Sequence, residues 1–548
     1  MEKIKKIISV MLILILTMTP FLSMLNVKAE DSETFTITTY GENEEGINPN
    51  LVTNKANLIV NGVTNGDELS AYKIIDIFYD KNTNEMTYDF TNDFKTFLAQ
   101  STNDTYKNMK IEDYFNLTSD NEDGTTSESV ITASTLNILV SQYTTYISSN
   151  DIKSNVDMTT TGSTSSAKVV AGAYLVLPTK VNTQYGIYDG QDLGSRPTAT
   201  INMYGVMVAN IVFDSVNGVW VLNNREIHAK RSNNHFDTML LGFSASQYTN
   251  FINGIPEDVS LYFQQDISSY RNKKNLYTLE LWGGTFKFPT NAIDKQATFT
   301  IEIPDGIDYD QEHIYTINNF GEQFTEIING EIVVNDTIIA KINTEEKKVT
   351  IEIIKEDENF ILCFDVWTNN NAAVGPSGNA IKSTLTIPEN PYVDGSISEI
   401  EITNTIYTYG LELTSFNNDN TTLLKGAKYE VYSKEDLSSN SLIGEFEVGE
   451  DGTGTFAGVA EGTVYLKQTK APTGYQLIKE VIPVKIATED ATDTDNDYYY
   501  EVSTSNQKMW FLPSTGGMGT IIYTVVGLVI IGIAGVALVK YRKKTVNM

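Results

Sequence analysis

Cysteine is nearly absent from this chain: one residue, Cys363, in 548. An intrachain disulfide is therefore excluded, as is any zinc or iron–sulfur site built from several thiolates. Histidine is scarce as well, with three residues, and His228 and His235 do not stand at an HxxxH-type metal spacing. Positive charge is the third shortage. Lys and Arg number 39 against 70 Asp and Glu, a formal charge of −31, which repels phosphate backbones and argues against a nucleic-acid partner. No G-x-S-x-G, Walker or dinucleotide fingerprint occurs, and no Asp/Glu pair stands out as a glycosidase pair. The chain reads as no enzyme: no catalytic residue, no metal ligand and no cofactor is expected.

What is present is core material. A hydrophobic content of 41% with 10% aromatics is too rich for a disordered acidic chain. The length suggests about three domains, each able to bury its own core. Both ends carry addresses. Lys3, Lys5 and Lys6 precede the apolar run Ile7 to Leu16, and Val27-Lys28-Ala29 offers a small-residue cleavage site, so residues 1–29 read as a secretory signal peptide. Thr520 to Val539 runs without a charge, long enough as a helix to span a bilayer core of about 30 Å. Lys540, Arg542, Lys543 and Lys544 follow and hold that end in the cytoplasm. Loss of both ends takes the formal charge from −31 to −38, because the signal carries four Lys and one Glu and residues 516–548 carry four basic groups.

Between the ends, period-two alternation dominates. Thr298 to Ile303, Lys348 to Ile353 and Glu399 to Thr403 each put one face apolar and one polar, with Asn, Asp and Gly clustered between such runs. Helical periodicity is confined to Phe90–Leu98 and Ser134–Ile147. Blocks open or close with Ala56–Val60, Leu69–Ile77 and Ala171–Leu177 in the first, Phe360–Ile387 in the second, and Gly410–Lys508 in the third. The expected architecture is all-β: tandem β-sandwiches with minor helical insertions in the first, and a C-terminal transmembrane helix. The boundaries are 1–29 signal peptide, 30–232 N-terminal domain, 233–405 middle domain, 406–510 C-terminal domain and 511–548 membrane tail.

Just before the apolar span stands Leu512-Pro513-Ser514-Thr515-Gly516. LPxTG, then an apolar helix, then a basic tail, resembles the cell-wall sorting signal of Gram-positive surface proteins. That resemblance implies a membrane-bound sortase as partner, whose cysteine cuts between Thr515 and Gly516 and holds the new carboxyl as a thioester for an amine to attack. Leu512, Pro513, Ser514, Thr515 and Gly516 are the implied recognition and cleavage set.

Block three carries a second resemblance. Leu423-Leu-Lys-Gly-Ala-Lys-Tyr-Glu-Val-Tyr432 and Gly462-Thr-Val-Tyr-Leu-Lys-Gln-Thr-Lys-Ala-Pro-Thr-Gly-Tyr475 are similar to Cna B-type domains, whose E-box reads YxLxETxAPxGY. In that family a strand Lys attacks a strand Asn, losing ammonia to form an intramolecular isopeptide bond, with the E-box Glu relaying protons. Here the Lys position is Ser415 and the Glu position is Gln468, while Asn506 remains where the acceptor would sit. A hydroxyl without a base is a poor nucleophile, and an amide does not relay protons as a carboxyl does. The site is expected to be degenerate, with Ser415, Gln468 and Asn506 hydrogen-bonding one another in place of a buried charge.

The first two blocks resemble backbone pilins. Phe360-Ile-Leu-Cys-Phe-Asp-Val-Trp367 followed by Asn371-Ala-Ala-Val-Gly-Pro-Ser-Gly-Asn379 is similar to their Y-x-A-x-L-N…A…G-x-x-N stretch, and the resemblance makes Asn379 an isopeptide acceptor. The other reading of Asn379 is a turn cap, since no clear Lys partner stands near the block's opening. Trp220-Val-Leu-Asn-Asn-Arg-Glu-Ile-His-Ala-Lys230 is similar to the WxxxVxVYPK motif whose Lys takes the sortase thioester of the next subunit, one residue longer and with His228-Ala229 for Tyr-Pro. Lys230 is the implied linkage acceptor; its other reading is an ordinary inter-domain surface lysine.

The resemblance as a whole implies a structural shaft subunit of a sortase-assembled pilus, polymerised covalently, linked to the cell wall and supporting adhesion. Its partners would be sortase, identical subunits, peptidoglycan or a basal pilin, and host surface molecules. The alternative is a wall-anchored monomeric adhesin with the same C-terminus. Three further features read as bland. Asp493, Asp495 and Asp497 lack the Gly and Glu of a calcium loop, giving Tyr498 and Thr504 instead. Asp305, Asp308 and Asp310 near His313 read as a loop, and Cys363 as a buried thiol on an apolar strand.

Overall fold

The computed structural model describes residues 36–40, 48–118, 133–189, 195–216, 219–255, 257, 264–281, 287–289, 291–318, 323–327, 329–334, 337–356, 360–393, 395–509 and 519–545. The signal peptide and the LPSTG motif lie outside them. The chain divides into two compact units, Met1–Tyr407 and Thr408–Met548.

The first unit begins with two sheets facing one another. One is four-stranded, in the order Arg225–His228, Lys55–Asn61, Thr164–Val170, Thr159–Thr161. Its partner runs Met207–Ile211, Gly172–Lys180, Glu68–Asp80, Glu85–Phe90, with Val156–Asp157 beside Glu68–Asp80. Leu58, Val60, Ala71, Ile77, Val169 and Val176 fill the space between them. The strand Glu68–Asp80 also buries its outer face, because Ile74 and Ile75 pack with Phe94, Phe97, Tyr114 and Tyr143. These aromatics come from the helices Asn92–Gln100, Ile111–Thr118 and Ala133–Ser149. The two helices legible as periodicity thus supply most of the sheet's second core, with Tyr114 added from Ile111–Thr118. The short helices Asp104–Lys107, Ile111–Thr118 and Ala245–Ile252 were not legible, being too brief for a period to show.

Two seven-stranded sheets follow. One has the order Gln323–Glu326, Ile307–Asn318, Phe360–Thr368, Asn275–Leu281, Arg231–Leu241, Ser195–Tyr204, Gln184–Asp189. The other has Ile267–Ser268, Ser398–Tyr407, Asn379–Ile387, Thr298–Glu302, Lys348–Ile353, Thr337–Glu345, Glu331–Val334. Phe236, Tyr277, Phe299, Ile351, Phe364 and Leu385 belong to the core they enclose. Residues Gln184–Asp189 and Ser195–Tyr204 precede the junction expected near 232, yet they pair into this sheet. Arg231 pairs with Tyr204 and Asp237 with Thr198, antiparallel, so the expected boundary falls inside one continuous sheet. A second expectation needs correcting: Asp308 and Asp310 lie on the strand Ile307–Asn318, not in a loop. Its register shifts between Tyr309 and Ile314 against Phe360–Thr368, and that irregularity broke the alternation in the sequence.

A buried charge cluster ties three adjacent strands of this sheet. Arg196, Asp237 and Glu280 are 2%, 1% and 4% exposed. Arg196 Nε lies 3.0 Å from Asp237 and its Nη1 lies 2.8 Å from Glu280. His235 Nε2 stands 3.0 Å from the second Asp237 oxygen.

The second unit is a smaller sandwich. Its three-stranded sheet is Thr453–Val459, Tyr409–Asn417, Tyr499–Asn506, and its four-stranded sheet is Leu442–Glu447, Lys428–Tyr432, Gly462–Lys470, Ile482–Ile486. The first and last strands run parallel, Gly410 beside Tyr499 through Asn417 beside Asn506. Leu411, Leu413, Tyr429, Val431, Val464 and Leu466 are fully buried. The C-terminal helix Gly519–Thr545 contains the stretch Ile521–Lys543, long and apolar enough to cross a membrane.

Removing the Arg196 guanidinium strands two carboxylates in the sheet. Arg196→Ala is expected to lower the unfolding free energy of the mature chain by about 3–5 kcal/mol, read by chemical denaturation; an unchanged midpoint would refute the role given to this cluster.

Candidate functional site

Lys230 stands in a two-residue link, after Arg225–His228 and before Arg231–Leu241. The first strand lies parallel to Lys55–Asn61, and the second belongs to the large sheet. Two backbone hydrogen bonds hold the link: Ala229 N donates to Asn61 O at 2.8 Å, and Gly205 N donates to Lys230 O at 2.6 Å. The Lys230 side chain is exposed. Among the described residues no carboxylate lies in ion-pair contact with its amine. It borders a cavity of about 220 Å³ whose lining also includes Ser141, Met203, Arg231, Lys287, Phe288 and Tyr392 and, among the described residues, no acidic one. In so acidic a chain this is a cationic recess. Arg231 is held there by donating to Thr64 Oγ1 at 2.6 Å. Trp220, the other end of the motif, packs against the core between the first two sheets and donates its indole N–H to Asn84 O at 3.2 Å.

Asn379 is 4% exposed and spends its amide on the backbone. Its Nδ2 donates to Ala373 O and Ile406 O, both at 3.1 Å, and its Oδ1 accepts from Ala373 N at 2.9 Å. One donor hydrogen and the acceptor hold Ala373 in the turn before Asn379, and the other hydrogen bonds the strand Ser398–Tyr407. Among the described residues no lysine hydrogen-bonds this amide, and these contacts favour the turn-cap reading.

In the C-terminal sandwich the three positions singled out by sequence do converge. Ser415, Gln468 and Asn506 are 0%, 1% and 0% exposed. Gln468 and Asn506 bond reciprocally across the two sheets: Asn506 Nδ2 donates to Gln468 Oε1 at 3.0 Å, and Gln468 Nε2 donates to Asn506 Oδ1 at 3.3 Å. Asn506 Nδ2 also donates to Gln476 O at 2.8 Å, and Gln468 Oε1 accepts from Ile478 N at 2.8 Å. The expected three-way bonding fails at Ser415. Its Oγ is buried without a well-formed hydrogen bond. It bonds neither Gln468 nor Asn506, and acts instead on the neighbouring Tyr429 hydroxyl. Tyr429 takes that place. Its hydroxyl accepts from Gln468 Nε2 at 2.8 Å and lies 3.0 Å from Thr504 Oγ1. Burial pushes the Tyr429 phenol up, opposed by the neighbouring Thr504, Gln468 and Ser415 groups, so it stays neutral. Tyr429 was missed as a site residue; its only signal was its place on the buried phase of Lys428–Tyr432.

The remaining features carry less chemistry. Cys363 is fully buried, and burial raises its thiol well above the ordinary value, the opposite of what a nucleophile needs. The carboxylates of Asp493, Asp495 and Asp497 gather within 4.8 Å of one another at the surface. Leu512, Pro513, Ser514, Thr515 and Gly516 lie outside the described residues.

The Gln468–Asn506 pair generates a two-sided prediction. Ser415→Ala removes an unsatisfied buried hydroxyl and is expected to leave stability unchanged or raise it by about 1 kcal/mol. Gln468→Leu strands Asn506, Tyr429 and the Ile478 N–H and is expected to cost about 2–4 kcal/mol. Calorimetry of both variants checks the pair, and equal effects would refute the division of roles.

Comparison with known proteins bears on both ends of the second unit. A prealbumin-like fold domain, the SpaA family, matches residues 410–498, and the LPXTG cell wall anchor motif matches residues 506–545. The trypsin-resistant surface T6 protein of Streptococcus pyogenes serotype M6 is 23% identical over 291 residues, 49% of this chain and 51% of that protein. The chain thus spans about half the length of this curated relative. The solved T6 backbone pilin of serotype M6 Streptococcus pyogenes superposes with a TM-score of 0.54 at 15% identity, covering 83% of this chain and 99% of that one. The full-length major pilin SpaD from Corynebacterium diphtheriae aligns at 14% identity and a TM-score of 0.41 over 65% of this chain and 81% of that one. The second unit thus matches a prealbumin-like domain followed by an LPXTG cell wall anchor motif, and the chain is similar in fold and in part of its sequence to a streptococcal T6 backbone pilin.

Proposed function

We propose that this protein is the structural shaft subunit of a sortase-assembled pilus, linked end to end through Thr515 and Lys230 and finally joined to the cell wall. The observation that carries the reading is the pairing of two complementary groups in one chain. An LPXTG anchor at the C-terminus supplies an acyl donor, and an exposed amine outside any ion pair among the described residues supplies an acceptor. In the linking step a sortase cysteine attacks the Thr515 carbonyl and releases the Gly516 amine, leaving a thioester. The neutral Lys230 Nζ of another copy then attacks that carbonyl, forms an amide and returns the thiol, with one proton passing from the amine to the thiolate. Nothing in this sequence of bonds needs a metal or a cofactor on the pilin. Bulk chemistry is left to the sortase, and the pilin's task is to hold an amine in reach and to bear load.

Three blocks, with junctions near 232 and 405, fit this reading, although the sheet containing Ser195–Tyr204 and Arg231–Leu241 bonds the first junction on both sides. In the C-terminal sandwich, Ser415, Gln468 and Asn506 form a site that has kept the fold and lost the crosslink. Peptide mapping of the mature chain should then recover the segments containing Ser415 and Asn506 as separate species.

The second reading, a wall-anchored monomeric adhesin, draws support from one observation: His228-Ala229 stands where the pilin motif has Tyr-Pro. Wall extracts separate the two. A shaft subunit gives a sortase-dependent ladder of high-molecular-weight species, and Lys230→Ala, which removes the acceptor amine, is expected to collapse it to one wall-linked band by at least about 100-fold in polymer. A single band from the wild type would establish the adhesin reading, and an undiminished ladder in Lys230→Ala would remove Lys230 from the mechanism.

A further inference from the structure

The acceptor lysine hangs on its neighbours rather than on its own strand. Gly205 N donates to Lys230 O at 2.6 Å. Gly205 lies so near that an added Cβ would sit 3.3 Å from Lys230 Cβ. The next residue, Val206, donates its backbone N–H to the Tyr392 hydroxyl at 3.4 Å. The Gly205–Val206 corner, between Ser195–Tyr204 and Met207–Ile211, is therefore held by Lys230 on one side and by Tyr392 on the other.

Tyr392 reaches this corner from far along the chain, in the 388–397 connection between Asn379–Ile387 and Ser398–Tyr407. Its connection is anchored at several points. Pro391 O accepts from Ile293 N at 2.9 Å and Asp294 N at 3.1 Å, and Tyr392 N donates to Asn390 Oδ1 at 3.0 Å. Thr145 Oγ1, on the helix Ala133–Ser149, donates to Tyr392 O at 2.6 Å. The ring is 2% exposed and packs in the aromatic cluster with Leu139, Tyr143, Leu175 and Val206. Burial, partly offset by the Val206 and Ser141 groups, pushes its phenol up to about 12. The hydroxyl therefore stays protonated across physiological pH. Tyr392 also lines the cationic recess beside Lys230.

We propose that Tyr392 is a positioning residue for the Lys230 acceptor, its phenol pinning the Gly205–Val206 corner from which the Lys230 backbone is suspended. This rests on the reading of Lys230 as the linkage amine. Tyr392 touches neither donor nor amine; it narrows the range over which the link, and hence Nζ, moves relative to an incoming thioester. An amine attack that needs near-contact geometry loses rate when its platform loosens.

The full chain carrying Tyr392→Phe, expressed in its own host, tests this. Phenylalanine keeps the ring in its cluster and removes the hydroxyl alone. After pulse labelling, the rate at which ladder appears, relative to the single wall-linked band, is expected to fall about fivefold, the scale of one neutral hydrogen bond. Total wall-linked protein is expected to stay at the wild-type value, because wall linkage uses the LPSTG end and not Lys230, and the melting temperature of the purified mature chain to fall by no more than the few degrees that one buried hydrogen bond is worth. A wild-type ladder rate would overturn the proposal, and so would a fall in ladder, wall-linked band and melting temperature together. Lys230→Ala run alongside separates the two failures. If its ladder persists, the reading of Lys230 itself is wrong; if its ladder vanishes while Tyr392→Phe polymerises normally, only the role of Tyr392 is.

Discussion

Arg196 holds two carboxylates out of water within a seven-stranded sheet, and much of the first unit depends on that arrangement. Its three members sit on three adjacent strands, Ser195–Tyr204, Arg231–Leu241 and Asn275–Leu281. A buried guanidinium meets two acids only in one register, and a slip of any one of these strands by one residue would turn its member to the other face. The pairing of Arg231 with Tyr204 is fixed by the same register. Lys230 follows directly, one residue outside the sheet and at its end. The position of a surface amine is thus set by a charge cluster that never touches it.

The two units solve the problem of mechanical integrity differently, given that no disulfide is available. The first interlocks its parts by topology and by distant contacts: a late connection carrying Tyr392 packs into an early helical layer, and an early strand enters a later sheet. The second sets its first and last strands side by side in parallel, so that a load applied across the sandwich meets a row of backbone hydrogen bonds. At the point where its relatives by motif place a covalent amide, it has a reciprocal amide pair between Gln468 and Asn506 with Tyr429 filling the remaining space. Hydrogen bonds there satisfy the two amides, but they do not resist force as a covalent bond does.

Much of the architecture was legible in sequence because it rests on local rules. Alternation located the strands around 298, 348 and 399, and a longer period located the helices around 94 and 140. Where local rules broke down, so did legibility. The bulge between Tyr309 and Ile314 disguised a strand as a loop, and helices of eight residues or fewer left no measurable period. The extent of the sheet across residue 232 had no local mark at all, because strand pairing between residues far apart is decided by which faces are left to bury. The candidate site divides in the same way. Lys230, Asn379, Ser415, Gln468 and Asn506 were found by motif, whereas Tyr429 and Tyr392 were not, one hidden in an ordinary strand pattern and the other in an irregular connection.

By itself the sequence determined that this protein is exported, anchored, acidic and largely β, and that a disulfide has no part in it. Those properties follow from counts, from runs and from short contiguous motifs, each of which acts through its own few residues. Tertiary structure alone decided that Asn379 bonds Ala373 and the distant Ile406 carbonyl, that Gln468 and Asn506 pair without Ser415, and that the Lys230 carbonyl meets Gly205 beside the Val206–Tyr392 contact. Each of these is a matter of reach: whether a side chain of given length meets a partner tens or hundreds of residues away, which only the packed chain defines.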